Sequence, residues 1–355
     1  MKRGPVWVLC SILFGISCSG PGGPADQEEK VAFSVILITD VGGLGDKGFN
    51  DAGWAGCEEA KRRLADRGVE IAIHVIESRE QTDYNNNLTL AAERADVVVS
   101  LGFLIADAVA EAAPHYPDKA FIFIDGKLEA ANVASFEFKS NEGGFLAGLL
   151  AGAVTQTGTI AVLPGMDIPP VESFAAGYRA GAKTYGALTG RSITVLSNTI
   201  GSFNDPVKAK SMAQSLNRQG ADILFQLAGN SGLGVIEAVR ETPPGHFVIG
   251  VDVNQDDLAP GKVLTSVLKR MDRVVADQIE KAYDHTIQFG VFSVGSREGY
   301  VGLTEMVHTR QGVPEAAWTL IQNAQKLIAE GTLQVPAAYA ELDRFEPPVA
   351  LLKTP

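Results

Sequence analysis

The chain contains much of itself twice. "RADVVVSLGF", beginning at Arg94, is matched by "GADILFQLAG" from Gly220, and "AFIFID", ending at Asp125, is matched by "HFVIGVD", ending at Asp252. The offset is nearly constant, at 126 residues from Ala95 to Ala221 and 127 from Asp125 to Asp252. "FNDAGWAGCEEAK" from Phe49 likewise parallels "FAAGYRAGAKTYG" from Phe174. In the first copy, apolar and β-branched runs at 33–39, 70–76, 97–101, 120–125 and 133–138 read as strands, and amphipathic stretches such as 52–67 and 88–94 read as helices. Strands that are apolar throughout, rather than alternating, are covered on both faces, which is the βαβ pattern of a doubly wound parallel sheet. The repeat therefore predicts an α/β fold of two doubly wound parallel-sheet lobes. Asp125 and Asp252 fall at the ends of equivalent strands, where ligands bind in open α/β sheets, so both are expected to face a cleft between the lobes, with a helix N-cap as the competing reading.

No long linker separates the copies. Extended segments at 133–140, 263–269 and 299–307 read as three hinge crossings, which divides the chain into one lobe at 31–137 plus 268–297 and another at 138–267 plus 298–355. Closure around a ligand would then be a hinge motion.

The N-terminus belongs to neither lobe. Lys2 and Arg3 precede an apolar run at 6–16 that is too short to span a bilayer, so residues 1–17 read as an export signal. Its end, Gly15-Ile16-Ser17-Cys18, resembles a bacterial lipobox, with Gly15 in place of the usual Leu or Val; that resemblance implies cleavage before Cys18 and lipidation of its thiol. "SGPGGPADQEEK" then reads as part of a flexible tether at 18–30. A lipid chain gains ~0.8 kcal/mol per buried CH2 and would hold the folded part at a membrane of the bacterial cell envelope, outside the cytoplasm.

Of three cysteines, only Cys57 lies in the folded region, so no disulfide can form within it, and Cys57 reads as a buried structural thiol. The formal charge is −12, and loss of a signal carrying Lys2 and Arg3 leaves −14, which argues against nucleic acid as a partner. The five histidines form no H-x-x-x-H or mixed His/Cys cluster, and no metal or cofactor is expected.

"ILITDVGGLGDKGFNDAGW" contains Gly43, Gly45 and Gly48 in G-x-G-x-x-G spacing between a strand and a helix, the context of a dinucleotide loop. Export from the nicotinamide-rich cytoplasm, and Asp40 just ahead of the glycines, where its charge opposes a pyrophosphate, argue instead for a tight loop that carries Asp40, Phe49 and Asn50 to the cleft.

The order "TDVGGLGDKGFND", "FIFID", "NEGGFLAGLLAG", "SFNDPVKAK", "ILFQLAGNSGLGVI", "VIGVDVNQ", "TSVLKR" resembles the basic membrane protein family of substrate-binding lipoproteins. The resemblance implies a type I periplasmic binding protein fold, a purine nucleoside ligand, and an ABC permease and ATPase as partners. It further implies that Phe49 and Phe203 sandwich the base, that Asp252 and Lys269 hold the ribose hydroxyls, and that Asp40 and Asn50 contact the base edge, with Asp125 a further cleft residue. Asp252 would also supply the charge that compensates Lys269. The chemistry is coherent: a nucleoside offers a flat π-face to aromatic plates and a polyol to ionised groups. Phe49 could alternatively staple its helix to the core. Gly48 stands where many members carry Ser, and Pro169-Pro170 is expected to reshape a cleft loop. Riboflavin, another flat ring with a polyol, is the alternative ligand.

Other classes are less well supported. "GNSGLG" departs from the G-x-S-x-G nucleophile elbow because Leu233 follows Gly232. No Ser/His/Asp arrangement supports a nucleoside-processing enzyme, and no distinctive repeat or basic patch supports a surface adhesin. The expectation is a binding protein without catalytic residues.

Overall fold

The computed structural model describes residues 33–352; the expected signal, the lipid acceptor Cys18 and the tether lie outside the described residues. β1 (Ser34–Ile38), β2 (Ala72–Ile76), β3 (Val97–Leu101), β4 (Ala120–Ile124) and β5 (Val133–Phe138) pair in parallel in the order β2-β1-β3-β4-β5. β6 (Thr159–Pro164), β7 (Thr194–Ser197), β8 (Ile223–Leu227), β9 (Phe247–Asp252) and β10 (Val263–Lys269) repeat that order as β7-β6-β8-β9-β10, again parallel. β11 (Gly290–Val294) completes the first sheet beside β5, and β12 (Val301–Leu303) runs antiparallel to β10 at the edge of the second.

The strand residues show why both sheets are buried. Val35, Leu37, Val97 and Val99 join one core while Ile36, Ile38 and Val98 join another on the opposite face, because successive side chains of a strand point to opposite sides. The second sheet divides in the same way, with Ile160, Val162, Ile223 and Phe225 on one face and Ala161, Leu163 and Leu224 on the other. Helices α1 (Phe49–Asp66), α2 (Tyr84–Arg94) and α3 (Ala106–Ala112) cover the first sheet. α4 (Ser140–Val154), α5 (Pro169–Thr189), α6 (Pro206–Arg218) and α7 (Ser231–Arg240) belong with the second. α8 (Met271–Tyr283) returns to pack on α1, and α9 (Glu315–Ala329) packs on α4.

α4 is apolar nearly all round, which marks a helix buried on every side. Its glycines let α5 approach: a Cβ on Gly144 would fall 2.2 Å from the carbonyl oxygen of Phe174, and one on Gly148 would fall 2.1 Å from that of Tyr178. No helix among the described residues is long and apolar enough to cross a membrane.

The chain passes between the sheets after Phe138, after Lys269 and within 295–300. The segment expected to make the last crossing, 299–307, instead contributes β12 to the second sheet. β11 went unseen in the sequence because it is a half-exposed edge strand with alternating burial, lacking the fully apolar signature of its neighbours. α1 begins three residues earlier than its periodicity suggests, at Phe49, for reasons that belong to the site.

Candidate ligand site between the lobes

The carboxyl ends of both sheets open onto one shared cavity between them. Asp40, Phe49, Asn50, Asp125, Phe203, Asp252 and Lys269 all line it. They come from the turns after β1 and β4, from the last residues of β9 and β10, from the start of α1, and from the loop before α6. The two strand-order switch points, between β1 and β3 and between β6 and β8, face each other across it.

The glycine loop is built around carboxylates. Asp46 accepts hydrogen bonds from the backbone nitrogens of Gly48 (2.9 Å), Asn50 (2.9 Å) and Asp51 (3.2 Å), and Asp51 accepts from those of Gly45 (2.7 Å) and Lys47 (3.1 Å). The donors that a pyrophosphate would use at this helix N-terminus are therefore already occupied. Asp46 also explains the early start of α1, since it satisfies the first-turn N–H groups from outside the helix. Gly43 and Gly45 adopt positive φ, of 65° and 92°, which the tight turn requires.

Asn50 is committed first to the loop. Its Oδ1 accepts from the Asp40 backbone (2.9 Å) and its Nδ2 donates to Asp46 (3.2 Å), leaving one N–H to face the cavity. Asp40 is held just as firmly: its Oδ1 accepts from the Tyr84 hydroxyl and from the Val41 backbone (2.7 Å). Burial, partly offset by those donors, raises its carboxyl to about 6.

Asp125 and Asp252 occupy the repeated position in the structure as in the sequence. Both adopt left-handed backbone angles, φ 83° and 68°, uncommon for a residue with a side chain, and neither caps a helix. Lys269, 2% exposed, donates to Asp125 Oδ2 at 2.5 Å, which corrects the expectation that Asp252 is its compensating charge. The reason is geometric: β10, paired with β12, keeps Lys269 in the second sheet rather than in the first lobe, where the expected 268–297 boundary places it, and brings it to the end of β4, so the ion pair bridges the lobes. The rings of Phe49, Phe138 and Phe174 surround the ammonium, with centroids at 5.1, 5.3 and 5.7 Å. Asp252 has no hydrogen-bond partner among the described residues, and its burial raises the carboxyl to about 7 despite the nearby lysine. Four carboxyl groups and one ammonium thus line a site that repels anions and favours a neutral molecule rich in hydroxyl donors.

The two aromatics differ. Phe49 packs partly against the first-lobe core while lining the cavity, so the staple and ligand readings of it are compatible. Phe203 belongs to no core cluster among the described residues. Its ring lies over Gly165, where a Cβ would fall 2.4 Å from Cδ1. Sequence reasoning missed Phe174 and Asp46. Phe174 could have been found, because it is the repeat partner of Phe49, 125 residues on, and Asp46 sits inside the quoted loop. Pro170 also lines the cavity, but the Pro-Pro pair forms the first turn of α5 and no loop, because proline suits the first helical positions, whose N–H groups have no partner within the helix. Cys57 is fully buried, and burial pushes its thiol far up, so it is inert. Among the described residues no group of acidic, His and Cys side chains could hold a metal.

One more residue ties the lobes together. Gln255, in the turn after β9, accepts at Oε1 from Gln226 (2.8 Å) and the Val251 backbone (3.1 Å), and donates from Nε2 to the Lys47 carbonyl across the cleft (2.8 Å).

Comparison with known proteins agrees with this architecture. The family model described as "ABC transporter substrate-binding protein PnrA-like" matches residues 33–337. Basic membrane protein D of Borreliella burgdorferi is 30% identical over 96% of this chain and 97% of its own length. An uncharacterised lipoprotein of Pyrococcus abyssi is 34% identical over 86% of this chain and 76% of its own. The crystal structure of an ABC transporter solute-binding protein from Aeropyrum pernix superposes with a TM-score of 0.78 at 26% identity, covering 88% of this chain and 96% of that one. With two parallel-sheet lobes in the type I periplasmic binding protein arrangement, the chain belongs to the PnrA-like family of ABC transporter substrate-binding proteins.

Proposed function

We propose that the chain captures a purine nucleoside between its lobes and delivers it to the permease and ATPase of an ABC importer. The observation that carries the reading is the pairing of aromatic plates from opposite lobes, Phe49 and Phe203, with a buried carboxyl group, Asp252, that has no hydrogen-bond partner among the described residues, in one cavity. Plates suit a flat base, at ~1–3 kcal/mol for each stacked ring. Asp252, without a donor among the described residues, suits the vicinal hydroxyls of a ribose, at ~1.5–3 kcal/mol for each charge-assisted hydrogen bond. The Lys269–Asp125 pair joins the two lobes beside the cavity, so a ligand that contacts both lobes favours the closed form. In this reading Phe49, Phe203, Asp40, Asn50, Asp125, Asp252 and Lys269 contact the ligand, and the lobes hinge at the three crossings.

Mass spectrometry of small molecules released from the purified protein on denaturation, followed by calorimetric titration of guanosine, inosine, adenosine and riboflavin, tests the ligand. Tight binding of riboflavin with none of the nucleosides would replace the ligand while keeping the site, and turnover of a bound nucleoside would make the protein an enzyme. We further infer that lipid on Cys18 anchors the protein in the cell envelope. Cys18→Ala should abolish acyl labelling and release the protein from the membrane fraction; equal labelling of both forms would refute the anchor.

A further inference from the structure

Asp40 has one oxygen fixed and one free. Its Oδ1 carries two donors, the Tyr84 hydroxyl and the Val41 N–H, which fills that atom's acceptor capacity. Its Oδ2 has no hydrogen-bond partner among the described residues. That oxygen lies against Gly102, where a Cβ would fall 2.2 Å away, and glycine at that position, with φ 97°, keeps it uncovered. Asp40 and Gly102 both line the cavity, so the oxygen left without a hydrogen bond lies at the cavity wall, where a ligand edge can reach it.

Tyr84 is built to act only as a donor. Its ring is buried in the first-lobe core, 3% exposed, and burial beside Asp40 pushes its hydroxyl far above neutrality. The charged groups facing Asp40 within its own lobe are Asp46, ahead of α1, and Asp125, at the end of β4. Asp252 and Lys269 lie on the opposite wall of the cavity. The two acidic neighbours and burial favour the protonated form, while Tyr84 and Val41 favour the ionised one. The balance places the carboxyl at about 6, inside the working range of an extracytoplasmic protein.

We propose that Tyr84 is a positioning residue that holds Asp40 so that the proton on Oδ2 selects between 6-oxo and 6-amino purines. Ionised, Oδ2 accepts from the N1–H of hypoxanthine or guanine; protonated, it donates to the bare N1 of adenine. This proposal rests on the nucleoside reading above. It goes further by giving the cleft a pH-dependent choice of base, in which acidification favours adenosine and neutral conditions favour inosine and guanosine.

The test is the ratio of adenosine to inosine affinity between about pH 5 and pH 8, because the ribose contacts, Asp252 included, are common to both ligands and cancel. The ratio should fall by roughly tenfold or more as pH rises through the Asp40 transition, as expected for reversal of one base-edge hydrogen bond. Tyr84→Phe keeps the ring in the core and removes a donor that favours the ionised carboxylate, so the transition should move to higher pH with binding retained. Asp40→Asn should make the ratio independent of pH. A ratio that is flat in the wild type while both nucleosides bind overturns the proposal alone. An unmoved transition in Tyr84→Phe overturns the role of Tyr84. Binding of neither nucleoside at any pH overturns this proposal together with the nucleoside reading.

Discussion

Asp252→Asn is expected to strengthen the ligand-free protein while weakening its hold on a ribose. The Asp252 carboxyl is 7% exposed and lacks a hydrogen-bond partner among the described residues; desolvation raises it from 3.8 to about 7, with Lys269 acting in the opposite direction. A folded group that holds its proton more tightly than the unfolded chain makes the folded state lose stability as pH rises. Nothing is lost below pH 3.8; the penalty grows from there and is complete once the pH passes about 7. At about 1.36 kcal/mol per pH unit, the gap between those values amounts to about 4 kcal/mol. Asn has nearly the same shape, cannot ionise, and tolerates the left-handed backbone at φ 68°, so it removes the penalty without adding strain. With the average unfolding entropy per residue, ~4 kcal/mol corresponds to roughly 6 °C in Tm for a chain of this size. Thermal unfolding should be measured on protein stripped of ligand by unfolding and refolding, because bound ligand raises Tm by mass action. The gain should be present at about pH 8 and nearly absent at about pH 4, while nucleoside affinity falls by about 10- to 100-fold with the loss of a charged acceptor. A variant no more stable than wild type at the higher pH, or equally stabilised at both, would refute the argument.

Phe203→Ala should cost ~1–3 kcal/mol, about 5- to 150-fold in affinity, for nucleoside and free base alike, and leave Tm nearly unchanged because the ring belongs to no core cluster among the described residues. Phe49→Ala should weaken binding similarly but also lower Tm; calorimetry beside thermal unfolding separates the two, and an unaltered Tm would contradict its packing role. Gln255→Ala removes the donor to the Lys47 carbonyl and should speed ligand release by roughly fivefold, as for loss of about 1 kcal/mol; an unchanged dissociation rate in stopped-flow displacement would show that this contact does not hold the lobes shut. A nucleoside 5′-monophosphate should bind at least ~100-fold more weakly than its nucleoside, since four carboxyl groups face it and one lysine already has a partner, and comparable affinities would disprove the electrostatic reading.

Much of this protein was legible in its sequence because its strands are apolar on both faces and the pattern occurs twice. Repetition implies two sheets, and the position of Asp125 and Asp252 at equivalent strand ends implies that both face the cleft. Local pattern was also enough to locate α1 and α2 to within a few residues. What failed was tied to contacts between residues distant in sequence. β11 and β12 are short edge strands whose identity depends on finding β5 and β10, and nothing in "GVFSV" or "VGL" specifies those neighbours. Phe174 is the repeat partner of Phe49, but its place beside Lys269 depends on the close packing of α4 on α5 through their glycine contacts.

Electrostatics drew the sharpest line between the two levels of description. The sequence supplied the acids and the lysine of the cleft, and a lysine at the end of an apolar strand needs a counter-charge, but sequence does not say which acid provides it. Asp125 and Asp252 are equivalent by repeat and chemically identical. Only the approach of β10 to the opposite lobe gives Lys269 to Asp125, leaving Asp252 buried and without a partner among the described residues. The glycine loop divides in the same way: its spacing fits a phosphate site, and the folded chain fills that site with Asp46 and Asp51. Hydrophobic periodicity is a property of neighbours along the chain and is written there; the ionisation and partnership of a buried charge depend on distance and solvent access in three dimensions, so the tertiary structure alone decided them.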